Sequence, residues 1–515
     1  MATEVNLFSG SDFHQGDILE EELFPPDSPP REQSVFGGEL LDYLQHNAES
    51  PLLETCLEEI AEHWRNGAEV QEIVRKDPNV AAFAEFPLKD CEQLPEGTTD
   101  LSTMEILRAA TKKHVLTPTD ATSNGSLQQV ELLMAAAEKI GCRKFDEAHV
   151  LLDYCDQCSS DSRNPVERLV FHFCSALRER IHQDDAPSSR VPINCFVTRY
   201  AVDLEEAIME FSPPILAIHE NIPFCQVQQL CAMQTIEEYA VTATRIHIID
   251  LSIRSGVHWP ALMQGLVGRH EYPIEHLRVT AVGNVAEEFL DETGNRLQLF
   301  AREMDLSFSF RIVMLSDSKV LRDVLFDVEE DERVIILANF ALRTWIPWPD
   351  RLQSLMMAIK KVKPCVMVVS EIESTFASPS LTDRLKEALL YFGAFIDSLE
   401  DCLGSNNHNR MLVEQLFLKK EISNVITKEG KDEQAFQDGK EKGWGAFITR
   451  LGMVEVDISD ACIYQAELVR SSFEHGSSCT LTKNRKSLVI GWKATPMHFF
   501  SVWKFSQDYS SFSSP

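Results

Sequence analysis

The stretch Arg245-Ile246-His247-Ile248-Ile249-Asp250 (RIHIID) sets the reading of the chain. It is a short, β-branched, almost continuously apolar run, closed by a polar residue and followed at Gly256 by a turn-former. Such a run reads as a strand buried on both faces. Four more runs of the same kind follow, at 277–282, 310–314, 334–338 and 365–369, with helix-length stretches between them. Continuous apolar strands separated by helices predict an α/β fold with a mostly parallel, doubly wound sheet. Two later candidates, 454–458 and 487–492, flank a helix-sized segment and read as an antiparallel edge.

Upstream of the first strand the period changes from two to 3.6. Residues 118–125 (PTDATSNG) form a linker by composition. Ser126 is then a good N-cap, and Gln129 completes a capping box. Leu127, Val130, Met134 and Ala137 recur at helical spacing. A second helix carries Ala148, Leu151, Leu152 and Cys155. A third opens with Asn164 as N-cap, Pro165 at the first helical position and Glu167 closing a box. Its apolar face includes Val166, Leu169, Val170, Phe173 and Leu177. No fixed-period repeat runs through these helices, which argues against a solenoid.

Composition limits the function classes. Hydrophobic residues make up 44% of the 515, so a sizeable core is expected. The formal net charge of −32 repels a phosphate backbone unless basic residues gather on one face, and Lys and Arg are spread along the chain. The 13 cysteines are scattered and odd in number. With no signal-peptide pattern at the start and only strand-sized apolar runs, the expectation is a soluble intracellular chain with free thiols and no membrane span. Residues 1–122 read as an acidic, partly disordered extension, with Pro25, Pro26, Pro29 and Pro30 as breakers. Within it, 17–24 (DILEEELF) and 38–44 (GELLDYL) alternate acidic with bulky apolar residues, a composition of activation segments and also of plain solvated tails.

RIHIID, with Gly256, Trp259, Leu262, Leu266 and Arg269 after it, resembles the central VHIID motif of the GRAS family of plant proteins. The likeness continues through Leu277-Arg278-Val279-Thr280 and Glu292-Thr293-Gly294-Asn295-Arg296-Leu297. The upstream helices resemble the family's leucine-rich region. Arg410, Glu429-Gly430 and Trp444 resemble its PFYRE and early SAW regions. Leu488 to Lys493 and Ser501-Val502-Trp503 resemble the end of SAW. Several motifs in order are specific where one pentapeptide is not. Two departures stand out. The usual Asn-Gln before the strand is Met233-Gln234, and the extension carries Gly38-Glu39-Leu40-Leu41-Asp42 rather than the string that defines DELLA proteins.

The resemblance implies a GRAS domain at 123–510. Residues 126–240 would form a mainly helical cap, and 245–510 a Rossmann-like, methyltransferase-like α/β core. It implies a nuclear transcriptional co-regulator that binds DNA-binding transcription factors and other GRAS proteins, as homo- or heterodimers, and reaches DNA indirectly. The expected partner surface is the cap, at Leu127, Val130, Met134, Leu151, Leu169 and Phe173. The SAW-like residues Trp444, Trp492, Ser501 and Trp503 would hold the C-terminal region together, and Phe499, Phe500 and Trp503 together would leave an aromatic surface patch.

An enzyme reading was weighed on the residues. A cofactor loop after the first strand needs small residues so that backbone amides can approach the ligand. Here bulky Leu251, Ile253 and Arg254 stand there, and the second strand ends Val282-Gly283-Asn284 without the carboxylate a ribose would need. No catalytic, cofactor or metal residue is therefore assigned. Asp250 reads as a loop-fixing acceptor, His247 as a satisfied core histidine and Trp259 as core. The Cys155–Cys158 pair lacks the second pair a zinc site requires. The alternatives are a direct DNA binder, a DELLA-type gibberellin repressor, and a methyltransferase or small-ligand receptor.

Overall fold

The computed structural model describes residues 101–112, 125–159, 164–185, 213–283, 287–315, 326–346, 348–376, 378–405, 407–427 and 443–506. The acidic clusters at 17–24 and 38–44 lie outside them.

Four helices precede a bridging pair. They are α1 (Thr103–Lys112), α2 (Gly125–Gly141), α3 (Phe145–Cys158) and α4 (Pro165–Asp185); α5 (Pro213–Asn221) and α6 (Pro223–Ala240) then lead into the sheet. The box expected at α4 is present: Glu167 N donates to Asn164 Oδ1 at 3.0 Å, and Asn164 Nδ2 donates to Glu167 Oε1 at 2.7 Å. The first strands and their crossovers are β1 (Arg245–Asp250), α7 (Trp259–Val267), β2 (His276–Gly283), α8 (Glu287–Glu303) and β3 (Phe308–Met314). Next come β4 (Arg333–Asn339), α9 (Leu342–Trp345), α10 (Pro349–Lys361), β5 (Val366–Ile372) and α11 (Leu381–Leu403). Helix α12 (His408–Val413) runs through a π turn (Glu414–Leu418) into α13 (Lys419–Thr427). The last elements are α14 (Trp444–Arg450), β6 (Met453–Val456), α15 (Asp460–Ser472), β7 (Cys479–Asn484), β8 (Ser487–Trp492) and β9 (Thr495–Phe505).

Among the described residues the strands form one nine-stranded sheet in the order β3-β2-β1-β4-β5-β9-β8-β7, with β6 also on β9. The pairs β1–β2, β1–β4, β2–β3 and β4–β5 are parallel, and all pairs involving β6 to β9 are antiparallel. The expected doubly wound sheet is thus present, with β1 at the centre of its five parallel strands. Two apolar layers cover it. One joins the cap, α6, α7, α8 and α11, while the other joins α9, α10 and α14.

Two expectations change. The antiparallel strands are no mere edge, because β9 lies between β5 and β8 and its inward residues Phe499, Phe500 and Trp503 are buried. An aromatic surface patch there is excluded. The folded region also starts earlier than residue 123. Met104 and Leu107 of α1 are buried, and α1 packs on α11 where Gly393 leaves room; a Cβ at that glycine would come within 2.1 Å of Leu107 Cδ1. The acidic composition of the surrounding sequence hid a ten-residue amphipathic helix.

Candidate functional site

In an open α/β sheet, ligands bind beyond the carboxyl ends of the strands, where the strand order reverses. Here that point lies between β1 and β4. Asp250 ends β1 fully buried. Its Oδ1 accepts from Ser252 N at 2.9 Å and its Oδ2 from Trp259 Nε1 at 3.3 Å, so it pins the turn to the start of α7. Ser252 Oγ donates to the Asn339 carbonyl across the crevice. From α6, Gln228 Nε2 reaches both Asn339 Oδ1 at 2.6 Å and Ser370 Oγ at 2.7 Å, tying β4 to β5.

The turn after β1 holds Arg254 at φ 52°, and the turn after β4 holds Phe340 at φ 55°. The left-handed region is costly for both, and such conformations persist only where their surroundings enforce them. The Arg254 guanidinium lies 5.7 Å from the Phe340 ring centroid, and that ring meets His498 edge-on at 5.0 Å. These side chains meet where the turns after β1 and β4 approach each other. Gly256, at φ 67°, shares the left-handed conformation without the cost of a Cβ, which there would stand 2.9 Å from Thr293 Cγ2 on α8.

Burial governs the charges of the crevice. It pushes the carboxyls of Asp250 and Glu371 up to about 7. It pulls His219 down to about 3, and His258 and His498 to about 4. His247 lies three residues before Asp250, on the opposite face of β1. Its Nε2 is 2.8 Å from Thr280 Oγ1 and its Nδ1 is 3.3 Å from the Glu332 carboxylate, within the sheet's interior. Ile246, Ile248 and Ile249 are fully buried, as is Trp259. None of the VHIID-like side chains reaches the surface.

The cap is a separate feature. Val130, Leu169 and Phe173 are fully buried, and Leu127, Met134 and Leu151 pack against that core. These six therefore hold α2, α3 and α4 together, Leu127, Met134 and Leu151 staying half-buried, because mutually packed helices consume the apolar stripes that sequence periodicity reveals. Among the described residues of the cap, the exposed large apolar side chains are Val150 (55% exposed) and Tyr154 (56%), one turn apart on α3. Beside them, Arg178 of α4 donates to Asp153 Oδ1 at 2.8 Å and Asp156 Oδ2 at 2.5 Å, which fixes α3.

A buried ion cluster joins cap to core. Arg168 of α4 bonds Glu414 Oε2 at 3.0 Å and Glu400 Oε2 at 2.7 Å. Arg410 bonds Glu414 Oε1 at 2.6 Å, and Glu414 opens the π turn. In the sequence Arg410 stands out only as a motif letter. The carboxylate partners of the cluster carry no local signal, since Arg168 and Glu414 are 246 positions apart.

The SAW-like residues are all buried. Trp444 Nε1 donates to the Ile372 carbonyl at 2.7 Å, Trp492 Nε1 to Asp397 Oδ2 at 2.7 Å, and Trp503 Nε1 to Ser501 Oγ at 2.8 Å. Each tryptophan satisfies its one donor while it fills the core. Among the described residues, no group of three or more His, Cys, Asp or Glu is placed to hold a metal, and no helix is long and apolar enough to cross a membrane.

The sheet and the helices above it make a doubly wound α/β domain with a helical cap. The GRAS domain family matches residues 129–504, and the chain belongs to that family. It is similar to the DELLA protein GAIP-B of Cucurbita maxima, 26% identical over 80% of this chain and 68% of the relative. It is likewise 26% identical to the DELLA protein RGA of Arabidopsis thaliana, over 75% of this chain and 63% of the relative. In fold it matches the crystal structure of SCL7 from Oryza sativa, with a TM-score of 0.59 and 22% identity, covering 74% of this chain and all of that one.

Proposed function

We propose that this protein is a nuclear transcriptional co-regulator that works by holding other proteins, DNA-binding transcription factors and further GRAS proteins among them. The observation that carries this reading is the pair Val150 and Tyr154. They stand exposed on a helix whose opposite face is locked into the cap by packing and by Arg178. A rigid helix presenting an apolar pair is ready to complete its stripe with a partner helix. The net charge of −32 favours indirect contact with DNA, and bulky Leu251, Ile253 and Arg254 in the turn after β1 favour a scaffold over a catalyst.

The test is affinity purification from plant nuclei, comparing wild type with the Val150→Glu/Tyr154→Glu double variant. Transcription factors or GRAS proteins should co-purify with the first and be lost from the second, while circular dichroism stays unchanged. Equal recovery from both would remove the cap from the reading. A mobility shift by the purified protein alone at physiological salt would favour direct DNA binding instead.

A second reading rests on the DELLA names of the relatives. A gibberellin-signalling repressor of that type falls in abundance when the hormone is supplied, and a constant level would exclude it.

A further inference from the structure

Helices α12 and α13 run on through the π turn, and their buried residues recur at steps of four: Arg410, Glu414, Leu418, Ile422 and Ile426. In a regular α-helix each such step drifts by about 40°, roughly 160° over the whole row. The wider π turn takes up much of that drift. It thereby also keeps Leu412, Leu416 and Lys420 in line on the outward side, with Met411 and Lys419 beside them. Met411 is 46% and Leu416 48% exposed, Lys419 is exposed, and Leu412 and Lys420 are half-buried. Neither lysine forms an ion pair among the described residues. The face is fixed from below, because Glu414 opens the turn and is held by Arg168 and Arg410.

Charge sets this face apart from the exposed apolar pairs on α3 and α15. Val150 and Tyr154 stand on a helix with Asp153 and Asp156, and Tyr464 and Leu468 on one with Asp460 and Glu467. Those faces offer carboxylates beside their apolar residues, whereas the outward side of α12 and α13 offers ammonium groups. An apolar face edged with lysines fits a segment that alternates apolar and acidic residues.

We propose that residues 17–24 of this same chain dock on that face. The segment reads Asp17-Ile18-Leu19-Glu20-Glu21-Glu22-Leu23-Phe24, so its four carboxylates meet Lys419 and Lys420 while Ile18, Leu19, Leu23 and Phe24 cover Met411, Leu412 and Leu416. No Lys or Arg precedes Arg31, so the segment brings no like charge against the lysines. The chain is long enough for the contact. Between Phe24 and Leu101, the first described residue, lie 76 residues, 25 to 100. An unstructured chain of that length averages roughly 50 Å from end to end, enough to span the domain. Tethering makes the contact intramolecular, so the segment outcompetes free peptides of the same composition. While docked, its apolar residues are withheld from other proteins, and a partner that takes the face of α12 and α13 releases them.

The experiment mixes isotope-labelled and unlabelled full chains, treats them with a carbodiimide that joins carboxylates to ammonium groups in contact, and maps linked peptides by mass spectrometry. Links from Asp17, Glu20, Glu21 or Glu22 to Lys419 or Lys420 should form within single copies. The Lys139–Glu147 ion pair of the cap supplies the control link. Leu416→Glu leaves both lysines in place and should weaken the links from 17–24 by about tenfold, the scale of one buried leucine lost, with the control unchanged. Ile18→Ser/Leu23→Ser should do the same without touching the folded domain, so a destabilised Leu416→Glu does not blunt the test. No link from 17–24 while the control forms would overturn the proposal, as would links to other lysines alone or full-strength links in the Ile18→Ser/Leu23→Ser chain. Links found only between labelled and unlabelled copies would overturn it as well and assign the face to a second copy.

Discussion

Replacing Glu414 by glutamine removes one negative charge from a cluster of two arginines and two glutamates. Arg168, Arg410 and Glu414 are all at most 4% exposed there, and Glu400 is 20% exposed. In the native protein the four charges cancel. Glu414→Gln leaves two guanidinium groups facing Glu400 alone, which already bonds Arg168 at 2.7 Å and stands 4.0 Å from Arg410. Breaking a buried pair this way costs about 3–5 kcal/mol, most of it the uncompensated buried charge. Arg168→Met strands a negative charge instead, in a gentler setting. Glu414 keeps Arg410 at 2.6 Å, and Glu400 keeps Ser405 and some solvent. That loss should be about 2 kcal/mol, near the price of one unsatisfied polar group. At a urea slope of about 3 kcal/mol per molar, Glu414→Gln lowers the unfolding midpoint by at least about 1 M and Arg168→Met by about half as much. Tryptophan fluorescence in urea reads both midpoints. A Glu414→Gln midpoint equal to or above that of Arg168→Met would refute the charge accounting and leave packing as the cluster's role.

Three further outcomes follow from particular contacts. Gly393→Ala drives a methyl group into Leu107 Cδ1, so amide exchange across α1 should accelerate well beyond that of α11, and Leu107→Ala in the same chain should restore much of the protection. His172 is buried with no partner for either ring nitrogen, and burial first, then Lys419 and Arg168, lowers it to about 3. Its stabilising share is complete above the unfolded value near 6.5 and is lost as pH falls below it, at about 1.4 kcal/mol per unit. His172→Leu should therefore flatten the fall in melting temperature between pH 6.5 and 5, and an unchanged slope would assign that fall to other groups. Ser459→Ala removes the cap of α15 and the link to Glu238, at a cost of about 1 kcal/mol by urea titration.

The parallel half of the sheet was legible because β1, β2, β4 and β5 are largely buried on both faces and so read as apolar runs, while the half-buried edge strand β3 still carries Phe310, Ile312, Val313 and Met314. The cap helices were legible through their caps, as Asn164 and Glu167 show. Strand β7 escaped notice because its outer half, Thr482-Lys483-Asn484, is exposed and polar. Strand β9 opens with Thr495-Pro496 and alternates irregularly, so its central position was invisible. The six cap residues marked by periodicity pack inward for a related reason. Helical periodicity reports which side of a helix is apolar, and in a three-helix cap that side faces the neighbouring helices. What stays outside, Val150 and Tyr154, breaks the pattern.

The seat of β9 has a consequence for biosynthesis. Strands β1 to β5 emerge from the ribosome with the β5 margin unpaired, and its partner at 498–503 is made only after some 125 further residues. Until then the nascent sheet offers a bare backbone edge to any passing strand. A nonsense codon anywhere before Thr495 would make that exposure permanent, so such truncations should accumulate as aggregates or be cleared by proteolysis rather than persist as shortened regulators.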